Sequence, residues 1–212
     1  MNGDSRPLMV TIQCLTYNHE PYIRQCLDGF VMQKTNFRFE AIVHDDASTD
    51  GTADIIREYA EKYPDIIKPI IETENQYSKH DGSLDRIMDE HTHGKYVAFC
   101  EGDDYWIDPL KLQKQVDFLE SNLDYGLVYT NACKNIDGIT NINETLSTGH
   151  CDFISLLKDN DITTLTVLYR NGIKKGYSKE VPLEMMPMGD YQLWLYIATK
   201  TKVAYIDEIT SV

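Results

Sequence analysis

The chain has 212 residues, with 34 acidic against 20 basic side chains and a formal net charge of −14. That sign excludes nucleic acid as a partner, because phosphate backbones are held by clustered Lys and Arg. The 42% apolar share, with two Trp and 14 Tyr residues, fits a folded core of one large or two small domains rather than a disordered chain, and no apolar run nears the ~20 residues that cross a bilayer.

Leu8 to Thr16 reads as a strand with Val10, Ile12 and Cys14 on one face. Asn18 to Glu20 is a candidate cap for a helix with Pro21 in its first turn, a favoured place for proline. Ile23, Cys26, Leu27, Phe30 and Val31 then follow at helical spacing. Phe37 to His44 alternates as a second strand, and a polar turn from Asp45 to Thr52 leads into an amphipathic helix stopped by Pro64. Ile66 to Ile71 is a third strand and Asn75 to Gly82 a polar loop. Leu84, Ile87, Met88 and His91 mark a further helix, and Tyr96 to Cys100 a fourth strand. Beyond it, Asp108-Pro109 opens a helix carrying Leu112, Val116 and Leu119. Tyr125 to Thr130 is a strand, Asn131 to Gly149 a loop, Phe153 to Leu157 a short helix and Thr163 to Arg170 a strand. Met188 to Thr199 gives a helix burying Leu193, Trp194, Ile197 and Ala198, and Val203 to Ile206 a last strand. The chain stops inside the strand-like run Ile209 to Val212, as a piece of a longer protein would.

Strands alternating with helices predict a mostly parallel α/β sheet, which binds ligands beyond the carboxyl ends of its strands. Three polar turns follow strands and should meet there: Thr16-Tyr17-Asn18-His19, Asp45-Asp46-Ala47-Ser48 and Glu101-Gly102-Asp103-Asp104. The third is the most informative. Three carboxylates within four residues repel one another unless a cation lies between them. A hard divalent ion prefers such oxygens and keeps positions open for phosphates, whereas the bland alternative is a solvated acidic turn. Gly102 would let the backbone approach a ligand closely. Of Asp45 and Asp46, one could accept a ring N–H of a nucleobase and the other be held by the following turn. Asp50 and Thr52 suit capping of the next helix. Asp190 is either a helix N-cap or a general base, and Trp106 either stacks on a sugar or fills the core. Lys79, Arg86 and Lys95 flank the acids and are candidate phosphate contacts, with solvated surface positions as the default. All six histidines read as surface or core residues. Residues Met1 to Pro7 lack a secretory apolar stretch. The five cysteines lack metal spacing and read as reduced thiols. Together these predict a cytoplasmic protein, at most resting on the cytoplasmic face of a membrane.

The segments Val10 to Asn18, His44 to Thr52 and Phe99 to Asp104 together resemble glycosyltransferase family 2. The resemblance runs from about Leu8 to Asp108, and Gly189-Asp190-Tyr191-Gln192-Leu193-Trp194-Leu195 is similar to the family's base-bearing helix start. It implies a single GT-A domain over residues 1–212: a nucleotide-sugar half to about residue 108 and an acceptor half from about 109. It further implies an inverting transfer of one sugar from a nucleoside diphosphate sugar, commonly a UDP-sugar, to a carbohydrate or lipid-linked glycan in polysaccharide assembly. In that frame Thr16, Tyr17, Asn18, Asp45, Asp46, Lys79, Glu101, Gly102 and Asp103 face the donor, with Asp46 reading the base. Asp103 and Asp104 hold Mn2+ or Mg2+, Asp190 is the base, and Tyr105 and Trp106 meet the acceptor. Glu101 stands where many relatives carry Asp, and Gly189 where many carry Glu. The Gln-x-x-Arg-Trp signature of processive synthases is absent. A non-catalytic sugar-nucleotide or carbohydrate module on the same fold is the competing expectation. A receiver domain is disfavoured because the acid pair follows the second strand, and a nucleotidyltransferase because no basic glycine-rich loop is present.

Overall fold

The computed structural model describes residues 6–136, 139–180 and 189–212. Four parallel strands form its first half: β1 (Leu8–Thr16), β2 (Arg38–Asp45), β3 (Ile67–Ile71) and β4 (Tyr96–Phe99). Helices α1 (Ile23–Val31), α2 (Thr52–Lys62) and α3 (Ser83–His91) connect them. The second half adds α4 (Lys111–Ser121), β5 (Tyr125–Ile136), β6 (Ile139–Thr145), α5 (Phe153–Lys158), β7 (Val167–Arg170), α6 (Asn171–Glu180), α7 (Gly189–Lys200) and β8 (Lys202–Ser211). The strands join in one sheet ordered β3-β2-β1-β4-β7-β5-β6, with β8 parallel to β5 on its other side and β7 antiparallel to both neighbours. This is the expected α/β architecture.

Period-two alternation along β4 explains why the sheet is covered on both faces. Tyr96, Ala98 and Cys100 join one apolar cluster, with Ile23, Leu27 and Phe30 of α1, Ile56 of α2 and Leu112 and Val116 of α4. Val97 joins the other, with Tyr129, Tyr169 and the α7 residues Leu193, Trp194 and Ile197. Ala198, expected in the core, is only half-buried.

Several expected elements shift. Helix α1 begins at Ile23, so Pro21 lies ahead of it, and the amides of Tyr22 and Ile23 both donate to the His19 carbonyl at 2.9 Å. Asn18 takes a left-handed φ of 55°, a conformation Asn tolerates, and its side chain accepts from the Thr49 amide at 2.8 Å instead of capping α1. The expected loop from Asn131 to Gly149 is largely sheet: β5 continues to Ile136 and β6 returns along it. The first part of the expected strand Thr163 to Arg170 is a 3-10 turn over Thr164–Thr166, where Thr166 donates to the Thr163 carbonyl at 2.6 Å. Helix α6 had no counterpart in the expectations. Met188, the expected first residue of the last helix, lies outside the described residues. Among the described residues no helix is long and apolar enough to cross a membrane.

Candidate active site

The carboxyl ends of β1, β2 and β4 bring the three polar turns together, because parallel strands in register point their following loops the same way. Thr16 is buried and bonds across to β2, its hydroxyl donating to Asp45 Oδ1 and to the His44 carbonyl, both at 3.3 Å. The Asp46 amide donates to the Thr16 carbonyl at 2.9 Å. Asp45 also accepts from the Ser48 amide at 3.2 Å, so it is the carboxylate held by its own turn. Asp46 reaches the other way. Its two oxygens accept from the backbone amides of Gln76 at 2.6 Å and Tyr77 at 3.0 Å, clasping the loop after β3 onto the end of β2. Asp50 accepts from the amide and hydroxyl of Thr52 at 3.0 and 2.6 Å just ahead of α2, but the N-cap position is Gly51 and carries no side-chain cap, so neither Asp50 nor Thr52 is the cap residue expected. Tyr17, in the turn after β1, leaves 48% of its surface exposed.

The acidic turn extends from β4. Its Gly102 amide donates to the Leu15 carbonyl at 3.0 Å, and the Cys26 thiol of α1 donates to the Glu101 carbonyl at 3.3 Å. Ligand oxygens of Glu101, Asp103 and Asp104 all fall within 4.8 Å of one another. Burial, followed by the charges of Asp103 and Glu101, pushes the Asp104 carboxyl up to about 7. Glu101 is raised too, by desolvation first, then by the charges of Asp103 and Asp190. Asp190 thus lies within electrostatic reach of Glu101. Gly102 is required by the chain itself: a Cβ there would stand 2.6 Å from Thr16 Cγ2 and 2.7 Å from His19 Nδ1.

His19 departs from the surface-or-core expectation. Its Nδ1 is buried without a hydrogen-bond partner and stands 4.0 Å from Asp103 Oδ1. The polar turn that contains it was a visible signal; what its imidazole faces was not. The clustered carboxylate oxygens of Glu101, Asp103 and Asp104 fit a hard divalent cation.

Asp190 is fixed from three directions. Oδ2 accepts the Thr164 hydroxyl, Oδ1 accepts the Tyr191 amide at 2.8 Å, and Trp194 one turn on packs its ring 6.0 Å from both Phe99 and Tyr169. Phe99 stands two residues before Glu101, so one aromatic stack couples the helix of Asp190 to the strand of the acids. Thr164 was not foreseen; it falls in the 3-10 turn that the alternation pattern disguised as strand.

Other expected contacts lie elsewhere. Trp106 is 2% exposed, donates its indole N–H to the Leu165 carbonyl at 2.9 Å, stacks edge-on with Phe30 and carries the Lys111 ammonium 4.3 Å from its ring. It fills the core and offers no face to a sugar, because the indole finds all its partners inside. Tyr105 pairs through its backbone with Val212, its hydroxyl 3.4 Å from Thr140 Oγ1. Lys79 sits in the loop clasped by Asp46, engaged with Gln76 at 3.0 Å and Glu74 at 3.3 Å. Lys95 precedes β4, so it lies at the opposite strand end from the acids, and pairs with Glu120. Arg86 pairs with Asp81 at 3.9 Å. A cavity of about 580 Å3 lined by Arg6, Lys34, Arg38 and Phe39 lies at the amino ends of the strands, away from this chemistry.

The placement of Trp106 has a measurable consequence. Trp106→Ala should cost about 3–5 kcal/mol of stability, the range for large-to-small aromatic truncation in a core, while leaving ligand affinity of the surviving native fraction unchanged. Urea unfolding checks this; a full-stability variant with weakened acceptor binding would restore Trp106 to the sugar site.

The family model described as "Glycosyl transferase family 2" matches residues 12–178. An uncharacterised protein of Mycobacterium tuberculosis is 36% identical over 211 residues, covering 96% of this chain and 58% of its own length. The chain thus spans a little over half of that relative. The Escherichia coli protein named UDP-Glc:alpha-D-GlcNAc-diphosphoundecaprenol beta-1,3-glucosyltransferase is 28% identical over 196 residues, covering 91% of this chain and 71% of itself. Among solved structures, S. aureus TarS residues 1–349 with UDP superposes at a TM-score of 0.72 with 19% identity, covering 96% of this chain and 60% of that one. A Pyrobaculum calidifontis mannosyltransferase bound to GDP-Man and Mn2+ gives 0.68 with 21% identity, over 97% of this chain and 57% of that one. At these identities the structural likenesses establish the GT-A fold.

Proposed function

The chain belongs to glycosyl transferase family 2, and from that premise we propose that it transfers one sugar from a nucleoside diphosphate sugar, a UDP-sugar by preference, to an acceptor hydroxyl with inversion. The observation that carries this is the clustering of Glu101, Asp103 and Asp104, their ligand oxygens within 4.8 Å of one another, at the end of β4 beside the turns of Thr16 and Asp46 that follow the neighbouring parallel strands. Tyr17 offers a free ring face for a base at the crevice mouth. Asp46 spends one acceptor site of each oxygen on the Gln76 and Tyr77 amides and retains lone pairs for a ring N–H of uracil. Asp103 and Asp104 would hold Mn2+ or Mg2+, which when bound would supply positive charge against the negative charge developing on the departing diphosphate. Asp190 would accept the acceptor's proton as the new bond forms. Support for a UDP donor comes from the named donor of the Escherichia coli relative and the UDP held by TarS. The relative's diphosphoundecaprenol-linked sugar makes a lipid-linked glycan the first acceptor to try.

The test is a thermal-shift screen of UDP- and GDP-sugars with and without Mn2+, followed by assay of nucleoside diphosphate release with a prenyl-diphosphate-linked sugar. A ligand that binds only the native state raises the melting temperature. At least one sugar nucleotide should do so only when metal is present. Failure of every donor, with Mn2+ and with Mg2+, would sink the reading.

A further inference from the structure

His44 lies fully buried on β2, two residues before Asp46, and neither of its ring nitrogens closes a hydrogen bond. A buried polar group left unpaired is costly, so the carboxylate beside the ring matters. Nε2 stands 3.5 Å from Glu72 Oε1, a little beyond the about 2.7–3.2 Å at which such bonds close. The Glu72 side chain is 21% exposed and has room to close that gap. Strand register explains the pairing. His44 sits opposite Ile70 of β3, and Glu72, two residues on, shares the face of Ile70 while its amide extends the ladder to the Asp45 carbonyl at 2.9 Å. From Glu72 the contacts return to β2. The Gln76 side-chain amide donates to Glu72 Oε2 at 3.2 Å, and the Gln76 backbone amide donates to Asp46 Oδ1 at 2.6 Å. Four residues thus make a ring that leaves β2 at His44 and rejoins it at Asp46. Burial, opposed by the charges of Asp46, Glu72 and Asp45, lowers the His44 imidazole below its usual range, so near neutral pH it is uncharged with a single N–H. Placed on Nε2, that hydrogen meets Glu72.

We infer that His44 is a positioning residue for base selection: through Glu72 and Gln76 it fixes the Asp46 carboxylate, and that fixity separates uracil from cytosine. The inference rests on the donor reading above and deepens it by naming what sets the choice of base. Uracil presents a ring N–H at its third position. Cytosine has a bare ring nitrogen there and an amino group on the adjoining carbon. A carboxylate clamped to meet the first is set against the lone pair of the second. Unclamped, it can swing to the cytosine amino group, which carboxylates also accept from. A site built around one fixed hydrogen bond rejects the analogue that lacks it. The clamp on Asp46 is made of main-chain amides, so the carboxylate moves only if the loop after β3 moves. His44 and Glu72 tie down the start of that loop.

The experiment is calorimetric titration with UDP and with CDP in excess Mn2+. The two share ribose and diphosphate, so metal and phosphate contacts cancel in the ratio of their affinities. Wild type should prefer UDP. His44→Leu and Glu72→Ala should each lower the UDP-to-CDP ratio about fivefold or more, the share of one hydrogen bond. The double variant should lose no more than either alone, because both changes cut the same tie. His44→Gln, whose side-chain amide can donate to Glu72 in place of Nε2, should recover the ratio to within about twofold. In transfer assays His44→Leu should raise KM for the UDP-sugar and leave kcat in place, the mark of lost uniform binding. Should His44→Leu not fold, nitrogen magnetic resonance of the wild-type imidazole decides: the hydrogen should sit on Nε2, with a resonance that moves in Glu72→Ala. A hydrogen on Nδ1, an unchanged ratio in Glu72→Ala, or additive losses in the double variant would make His44 an ordinary core residue and overturn the inference. Equal affinity of wild type for UDP and CDP would overturn it by taking base reading away from Asp46, whereas binding of neither nucleotide would remove the donor reading itself.

Discussion

Asp104→Asn should abolish metal-dependent donor binding and, in metal-free buffer near neutral pH, make the protein more stable than wild type. The second effect follows from electrostatics. Folding raises the Asp104 carboxyl from 3.8 to about 7, through burial first and then the charges of Asp103 and Glu101. Between those values the folded chain binds more protons than the unfolded one, so its stability falls as pH rises through that window. At face value the shift is worth about 4 kcal/mol; screening at the open edge of the crevice reduces it to about 1–2 kcal/mol. For a domain of this size that is a rise of about 3–6 °C in melting temperature on removing the charge. Below about pH 4 the advantage should vanish. Lys111, buried and lowered to about 7 by desolvation, acts in a separate window. There the unfolded chain holds the extra proton, so its contribution to stability rises with pH between about 7 and 10.5, and the two slopes do not mask each other. Saturating Mn2+ should reverse the order by stabilising wild type only. Scanning calorimetry across pH, with and without metal, checks the first part, and titration with a sugar nucleotide the second. Equal donor affinity in the two proteins would remove Asp104 from the metal site.

That the acidic turn was readable in advance has a local cause. A short buried strand such as Tyr96 to Phe99 cannot end in three carboxylates for packing reasons, and strand-to-turn patterns are encoded within a few residues. The same holds for Asp45 and Asp46 and for the alternation that placed β1 to β4. Trp106 shows the opposite case. Whether an indole next to the site faces a sugar or the core depends on Phe30, Lys111 and Leu165, which lie up to 76 residues away in the chain. Asp46 was expected to meet a base, but its bonds to Gln76 and Tyr77 depend on where the β3 loop lands. Strand β6 carries little apolar alternation, and it pairs with the solvent-exposed end of β5. Helix α6 contains Gly172 and Gly176, each unfavourable in a helix interior. Tertiary partners such as Tyr177, packed with Tyr196 of α7 at 5.2 Å, outweigh that local cost.

Asp190→Asn should leave donor and metal affinity within about threefold of wild type and reduce transfer by about 10²–10⁴-fold, the usual share of general base catalysis. The Asn Oδ1 can still accept the Tyr191 amide, and its NH2 in the other position can donate to the Thr164 hydroxyl oxygen, so the start of α7 keeps its anchors with one bond reversed. Trp194 keeps the helix against Phe99 and hence against the acidic turn. What disappears is basicity. An acceptor hydroxyl is far too weak an acid to lose its proton before bond formation begins, so a carboxylate gains its leverage only in the transition state, where the oxygen turns acidic. The loss should therefore fall on turnover and not on binding of either substrate. Gly189 sharpens the expectation, because the neighbouring position carries no second acid to take over. Neutralising Asp190 also removes a charge that raises Glu101, so Glu101 should titrate lower in the variant, a shift that nuclear magnetic resonance of the carboxyl detects independently of activity. Single-turnover transfer with saturating donor and metal measures the rate. An unchanged rate alongside a shifted Glu101 would mean that Asp190 borders the crevice without serving as its base, and the proton would have to leave through the acidic turn itself.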